Sequence, residues 1–95
     1  MIGFVWDTRK NAMNRKKHGI SFEEAQDVFY DENAIRYFDP DHSEDEDRFL
    51  MLGMSARLRL LVVSHFYMEN DSTIRIISAR KATKREETAY WREGS

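Results

Sequence analysis

Five cations, Arg75, Arg80, Lys81, Lys84 and Arg85, fall within eleven residues of this 95-residue chain. Guanidinium groups match a phosphate in two-pronged fashion and ammonium groups match it as point charges, so this spacing suits phosphate recognition. The stretch begins with β-branched Thr73, Ile74, Ile76 and Ile77, which reads as a strand. It continues into Thr83 and Glu86, which fit a helix-starting capping box. A strand running straight into a helix offers a rigid corner for such charges. Cutting RNA without a metal needs a 2′-hydroxyl lined up on the phosphorus, cations for the phosphoryl oxygens, and a proton for the leaving 5′-oxygen. Arg80, Lys81 and Arg75 are the candidates for the first two tasks. His65, or Tyr67 on the same strand face by period two, is the candidate proton carrier. Tyr67 can also stack on an unpaired base, and Lys84, Arg85, Lys17 and His18 are candidate RNA contacts. The plainer reading of the corner is a solvated helix start with scattered charge.

Other constellations carry less. Asp39, Asp41, Ser43, Asp45 and Asp47 alternate like calcium ligands, but Glu44 stands where the EF-hand loop needs glycine and Leu50 where it needs glutamate. A solvated loop or a docking site for a basic partner fits better, and no metal or cofactor is expected. His18 closes a basic helix, where the dipole favours its charged form, and His42 sits in the acidic loop. The chain has no cysteine, which removes disulfides, thiol nucleophiles and thiolate-bound zinc and fits a reducing cytoplasm. No apolar run approaches a membrane span, so a membrane is not an expected partner.

The net charge of −2 hides a strong partition. Residues 1–20 carry five Lys/Arg against one Asp, residues 21–47 one Arg against eleven Asp/Glu, and residues 48–95 nine Lys/Arg against five Asp/Glu. Two basic segments flank an acidic one. If the basic segments converge they attract nucleic acid, while the acidic middle repels it or docks a basic protein.

The elements that must hold these residues follow from pattern. Residues 2–6 read as a short strand. Asp7 caps a basic helix over 8–18, closed by Gly19. Ser21 and Glu24 form a second capping box, opening a helix over 22–30 with Phe22, Ala25, Val28 and Phe29 on one stripe. Residues 34–38 read as a strand stopped by Pro40. Three strands follow in hairpin succession, over 48–55, 60–68 and 73–80, and a last helix over 83–92. The expected fold is a single α+β domain over residues 1–95: an antiparallel sheet with the N-terminal helix pair on one face and a C-terminal helix.

Several segments are similar to one family. Phe4-Val-Trp-Asp7, Arg15-Lys-Lys-His-Gly-Ile-Ser-Phe-Glu-Glu-Ala25, Asp39-Pro-Asp-His-Ser-Glu-Asp-Glu-Asp-Arg-Phe49 and Arg75-Ile-Ile-Ser-Ala-Arg-Lys-Ala82 resemble the BrnT toxins of bacterial type II toxin–antitoxin systems, in order and spacing over about residues 2–90. The resemblance implies a RelE-like fold, a ribonuclease that halts translation, and a neutralising BrnA-type antitoxin. It also implies that operator DNA is met only through the antitoxin. It assigns a phosphate contact to Arg80 first, then to Lys81 and Arg75.

Two functions compete. One is a metal-independent endoribonuclease; the other is a binding module that acts as antitoxin-bound corepressor without turnover. The exposed edge of the 34–38 strand is an expected antitoxin docking place.

Overall fold

A computed structural model describes residues 2–69 and 71–93; Asn70, in the expected 69–72 turn, lies outside them. In chain order the elements are β1 (Gly3–Val5), α1 (Thr8–His18), α2 (Phe22–Ala25), β2 (Ile35–Phe38), β3 (Phe49–Met54), β4 (Leu60–Tyr67), β5 (Thr73–Lys81) and α3 (Lys84–Glu93). The expected helix over 22–30 is α-helical only to Ala25 and then tightens into a 3₁₀ turn over Gln26–Tyr30. That turn brings Val28 onto Gly53, where an added Cβ would stand 3.0 Å from the Val28 Cβ.

The caps form as their residue types dictate, except that the expected Ser21–Glu24 box keeps only its Ser21 half, because the Glu24 carboxylate goes to Arg59 and Ser55. Asp7 accepts from the amides of Arg9 and Lys10 at 2.8 and 3.1 Å. Gly19 takes φ 72°, the left-handed position that ends α1. Ser21 accepts from Glu24 N at 3.1 Å. Thr83 and Glu86 close a full capping box, with Thr83 N to Glu86 Oε1 at 2.8 Å and Glu86 N to Thr83 Oγ1 at 3.2 Å.

The five strands are ordered β1-β5-β4-β3-β2. β2, β3, β4 and β5 pair antiparallel, but β1 pairs parallel with β5, so the sheet is mixed and not antiparallel throughout. Short turns dictate only the β3-β4-β5 meander. The position of β1 depends on the helical crossover that follows it, which no local turn encodes.

Alternation gives the sheet two unlike faces. On one, Ile20, Phe22, Ala25 and Val28 from the helix pair cover Leu61, Val63, Ile74, Ile76 and Ala79. On the other, Tyr90 of α3 covers Leu52 and Val62, with Ile35, Leu50, Met54 and Leu60 around them. Tyr90 is anchored by donating to Asp31 Oδ2 at 2.6 Å. β5 carries one residue more than β4 between matched pairs: Ser64 faces Ser78, while His65 faces Ile76. Ile77 is the extra residue of this bulge.

α1 docks without an apolar stripe. Its buried residues are Asn11 and Asn14. Asn14 Nδ2 donates to Ile20 O at 2.8 Å and to Ala79 O at 2.9 Å, and its Oδ1 accepts from Ala79 N at 3.1 Å. Beyond the end of β1 it thus takes the place of a strand along β5. Asn11 accepts from Phe22 N and donates to Glu23. A nearly buried carboxylate, Glu24, is held by Arg59 and by Ser55 at 2.7 Å, tying the β3–β4 turn to the helix pair.

Candidate active site

β5 presents its cations on two sides. Arg75 pairs with Phe66 and Arg80 with Val62, and those β4 residues share a face, so Arg75 and Arg80 lie together on the α3 side. Five positions apart, they would fall on opposite faces of a regular strand; the Ile77 bulge re-phases them. Lys81, next in the chain, points the other way and is exposed. His65 also lies on the helix-pair side. Strand alternation therefore separates Arg75 and Arg80 from Lys81 in the expected cationic corner, and from His65, the candidate proton carrier.

Arg80 is half-exposed and closed in a fork with Glu86, at 2.8 and 2.9 Å. This pair ties β5 to the first turn of α3. The Arg80 hydrogen bonds, helped by the Thr83 amide, pull the Glu86 carboxyl down to about 2. In return, Glu86 raises the Arg80 guanidinium above its usual range. Arg75 makes no ion pair among the described residues. Between the two arginines the cross-strand row runs Ser78, Ser64, Leu50 and Tyr37. Tyr37 is part-exposed on this face. Burial, and then the Glu93 and Glu86 carboxylates, push its phenol upward, so it keeps its proton at neutral pH.

His65 has no exposed surface. Its Nδ1 lies 2.9 Å from Val63 O, which requires the proton on Nδ1, and Nε2 has no hydrogen-bond partner among the described residues. Phe29 packs edge-on at 4.7 Å, and Phe49 and Tyr67 complete the surround. Burial lowers its pKa to about 4. Tyr67 is engaged as well: its hydroxyl accepts from Arg36 at 3.2 Å, and the Arg36 guanidinium lies 4.7 Å from the Phe49 ring centre and 5.6 Å from that of Tyr67.

The remaining candidates are exposed. Lys84 and Arg85 open α3, while Lys17 and His18 close α1. Arg9, Lys10, Arg15, Lys16 and Lys17 make no ion pair among the described residues, so α1 is a band of free positive charge. Lys10, Met13, Lys17 and His18 line a groove of about 460 Å³ against Ile77 and Ser78. Ser78 thus joins that groove to the Arg75–Arg80 face. No cluster of His, Cys, Asp and Glu suited to a metal occurs among the described residues, and no described helix is long and apolar enough to cross a membrane.

Spacing alone missed Tyr37, Ser64, Phe66 and Ser78. Their signal is period two read across the strand register, not along one strand.

The fold is an α+β layer with a mixed five-stranded sheet, and its β5 face carries phosphate-matching groups. The family model for the ribonuclease toxin BrnT of type II toxin–antitoxin systems matches residues 6–86. The chain belongs to this family of ribonuclease toxins. The 1.1 Å crystal structure of the Brucella abortus ribonuclease toxin BrnT is similar to it, with a TM-score of 0.66 over 88% of this chain and 100% of that one. At 21% identity, that likeness speaks to the fold. No curated protein matches the chain in sequence.

Proposed function

We propose that residues 1–95 work as one RelE-like toxin domain that cleaves RNA endonucleolytically, without a metal, on the open part of the α3 face. The observation that carries this is the register placing Arg75, Ser78 and Arg80 on one side of β5, continuous through Ser78 with the free cations of α1. In this reading Arg75 holds the phosphate on arrival. Arg80 turns from Glu86 to meet the charge that builds on the phosphoryl oxygens. Tyr37, whose phenol stays protonated, is the proton donor on that face. The strand of RNA continues over Ser78 along Lys10, Lys17 and His18, while Lys84 and Arg85 add charge at the start of α3. His65 and Tyr67 support the sheet from the other side, and Lys81 is a peripheral charge.

In this reading, cleavage of RNA in the cytoplasm halts translation. A BrnA-type antitoxin neutralises the toxin and links it to operator DNA. The closed Arg80–Glu86 fork favours a second reading: a module that binds its partners without turnover.

Purified protein incubated with RNA decides between them. Cleavage that persists in EDTA is expected; cleavage that needs added metal overturns the mechanism, and none at all supports the binding module. Arg80→Ala is expected to abolish growth arrest while antitoxin binding and fold persist. A fully toxic variant removes Arg80 from the site.

A further inference from the structure

The structure carries a second interaction surface along the outer backbone edge of β2, the strand that also turns Tyr37 toward the arginine face. β2 is an outer strand of the sheet, with nothing paired on its far side among the described residues. Asp39 N donates to Arg48 O at 2.8 Å, which marks 39 and 48 as a hydrogen-bonded pair. Antiparallel ladders alternate, so with the observed register Tyr37 and Ile35 turn their backbone groups to β3. Arg36 and Phe38 turn theirs outward. The free edge therefore offers two amide–carbonyl sets at a two-residue spacing, which is what an added strand requires.

The chain that follows sets the chemistry of the occupant. Residues 39–47 carry six carboxylates. Asp39 pairs with His42, and Glu46 with Arg48. Asp41, Glu44, Asp45 and Asp47 make no ion pair among the described residues. Negative charge beside the outward backbone edge disfavours RNA along it and favours a basic protein segment. A second copy of this chain is disfavoured too. Antiparallel pairing of two β2 edges sets each acidic loop beside the other's Asp31 and Glu32.

We propose that β2 receives an extended, Lys/Arg-bearing segment of the antitoxin as a sixth strand, gripped at Arg36 and Phe38 and steered by the 39–47 loop. This rests on the toxin–antitoxin reading above. It places the docking edge at the far end of the sheet from β5.

Hydrogen exchange on the full chain, alone and co-purified with its antitoxin, tests it. The amides of Arg36 and Phe38 are expected to exchange freely in the toxin alone and to gain protection in the complex. Phe38→Pro removes an outward amide without touching the β3 ladder, and is expected to weaken antitoxin binding at least about tenfold. Phe38→Ala, the control for the lost ring, is expected to weaken it less. The combined D41N/E44Q/D45N/D47N variant is expected to bind more weakly and to flatten the salt dependence.

Protection confined to α1 or the arginine face, or a Phe38→Pro variant that binds like the wild type, overturns the docking edge while leaving the toxin reading intact. A chain that binds no antitoxin overturns both. A free toxin that is dimeric, and becomes monomeric in Phe38→Pro, gives the edge to a second copy instead.

Discussion

The two faces of β4 and β5 are built from alternate residues of the same strands, yet they differ in kind. The helix-pair face is dry: His65 has no exposed surface and sits among Phe29, Phe49 and Tyr67. The α3 face is covered at one end by Tyr90, while Ser78 and Tyr37 toward the other end remain exposed, with the Arg80–Glu86 pair at the boundary. A histidine in a cavity of rings cannot hand a proton to a substrate it never meets. An arginine in a two-pronged ion pair can exchange one anion for another. The difference teaches that a residue's catalytic reputation is worth less than the face on which its strand places it.

The sharpest way to break this contrast is to mutate one member of each face. Arg75→Ala is expected to lower RNA cleavage by about 100- to 1000-fold, as loss of a preorganised charge contact does. His65→Leu is expected to leave cleavage within a few-fold. Turnover on a defined RNA measures both, and the reverse ranking would move the site to the other face.

Acid sharpens the contrast next. His65 has its pKa lowered from 6.5 to about 4 in the folded chain. Between those values the unfolded chain takes up a proton that the folded one refuses. Its stabilising contribution is therefore full above pH 6.5 and lost as pH falls toward 4, by about 3 kcal/mol. Urea melts across that window should show the loss, and His65→Leu should flatten it. Glu86 acts in a lower window: its carboxyl is pulled from 4.5 to about 2, so its contribution fades as pH falls through that range.

The smallest effect concerns the boundary itself. Glu86→Gln keeps most of the capping box but frees Arg80. A stability loss of about 1 kcal/mol is expected, together with RNA binding a few-fold tighter. Calorimetry and filter binding on one preparation measure both. Weaker RNA binding would mean that Glu86 holds Arg80 in its working position and does not restrain it.

How much of this was legible in the sequence varies by element. Capping residues are local, and Asp7, Gly19, Ser21, Thr83 and Glu86 all do what their types require. The β3-β4-β5 meander follows from turn length. The parallel placement of β1 does not, because it is decided by packing across the helical crossover. The bulge at Ile77 was invisible as well: nothing in Ile76-Ile77-Ser78 distinguishes a regular strand from one carrying an extra residue. That residue decides which cations share a face. Tyr37 and Ser64 could enter the site only once register was known. Asn14 reads as an ordinary helix polar residue, and Glu24 as the return half of the Ser21 capping box, until their distant partners, Ala79 and Arg59, are in place.

α1 is moored by two amides, Asn14 to β5 and Asn11 to α2, where most helices are held by oil. Such a mooring is directional, fixing rotation about the helix axis as well as distance, and it leaves every outward position open to a cation. It is also brittle. Asn14 Nδ2 faces the carbonyl oxygens of both Ile20 and Ala79. Exchanging that nitrogen for oxygen, as in Asn14→Asp, would press an anion against two more oxygens and cast adrift the most basic segment of the molecule.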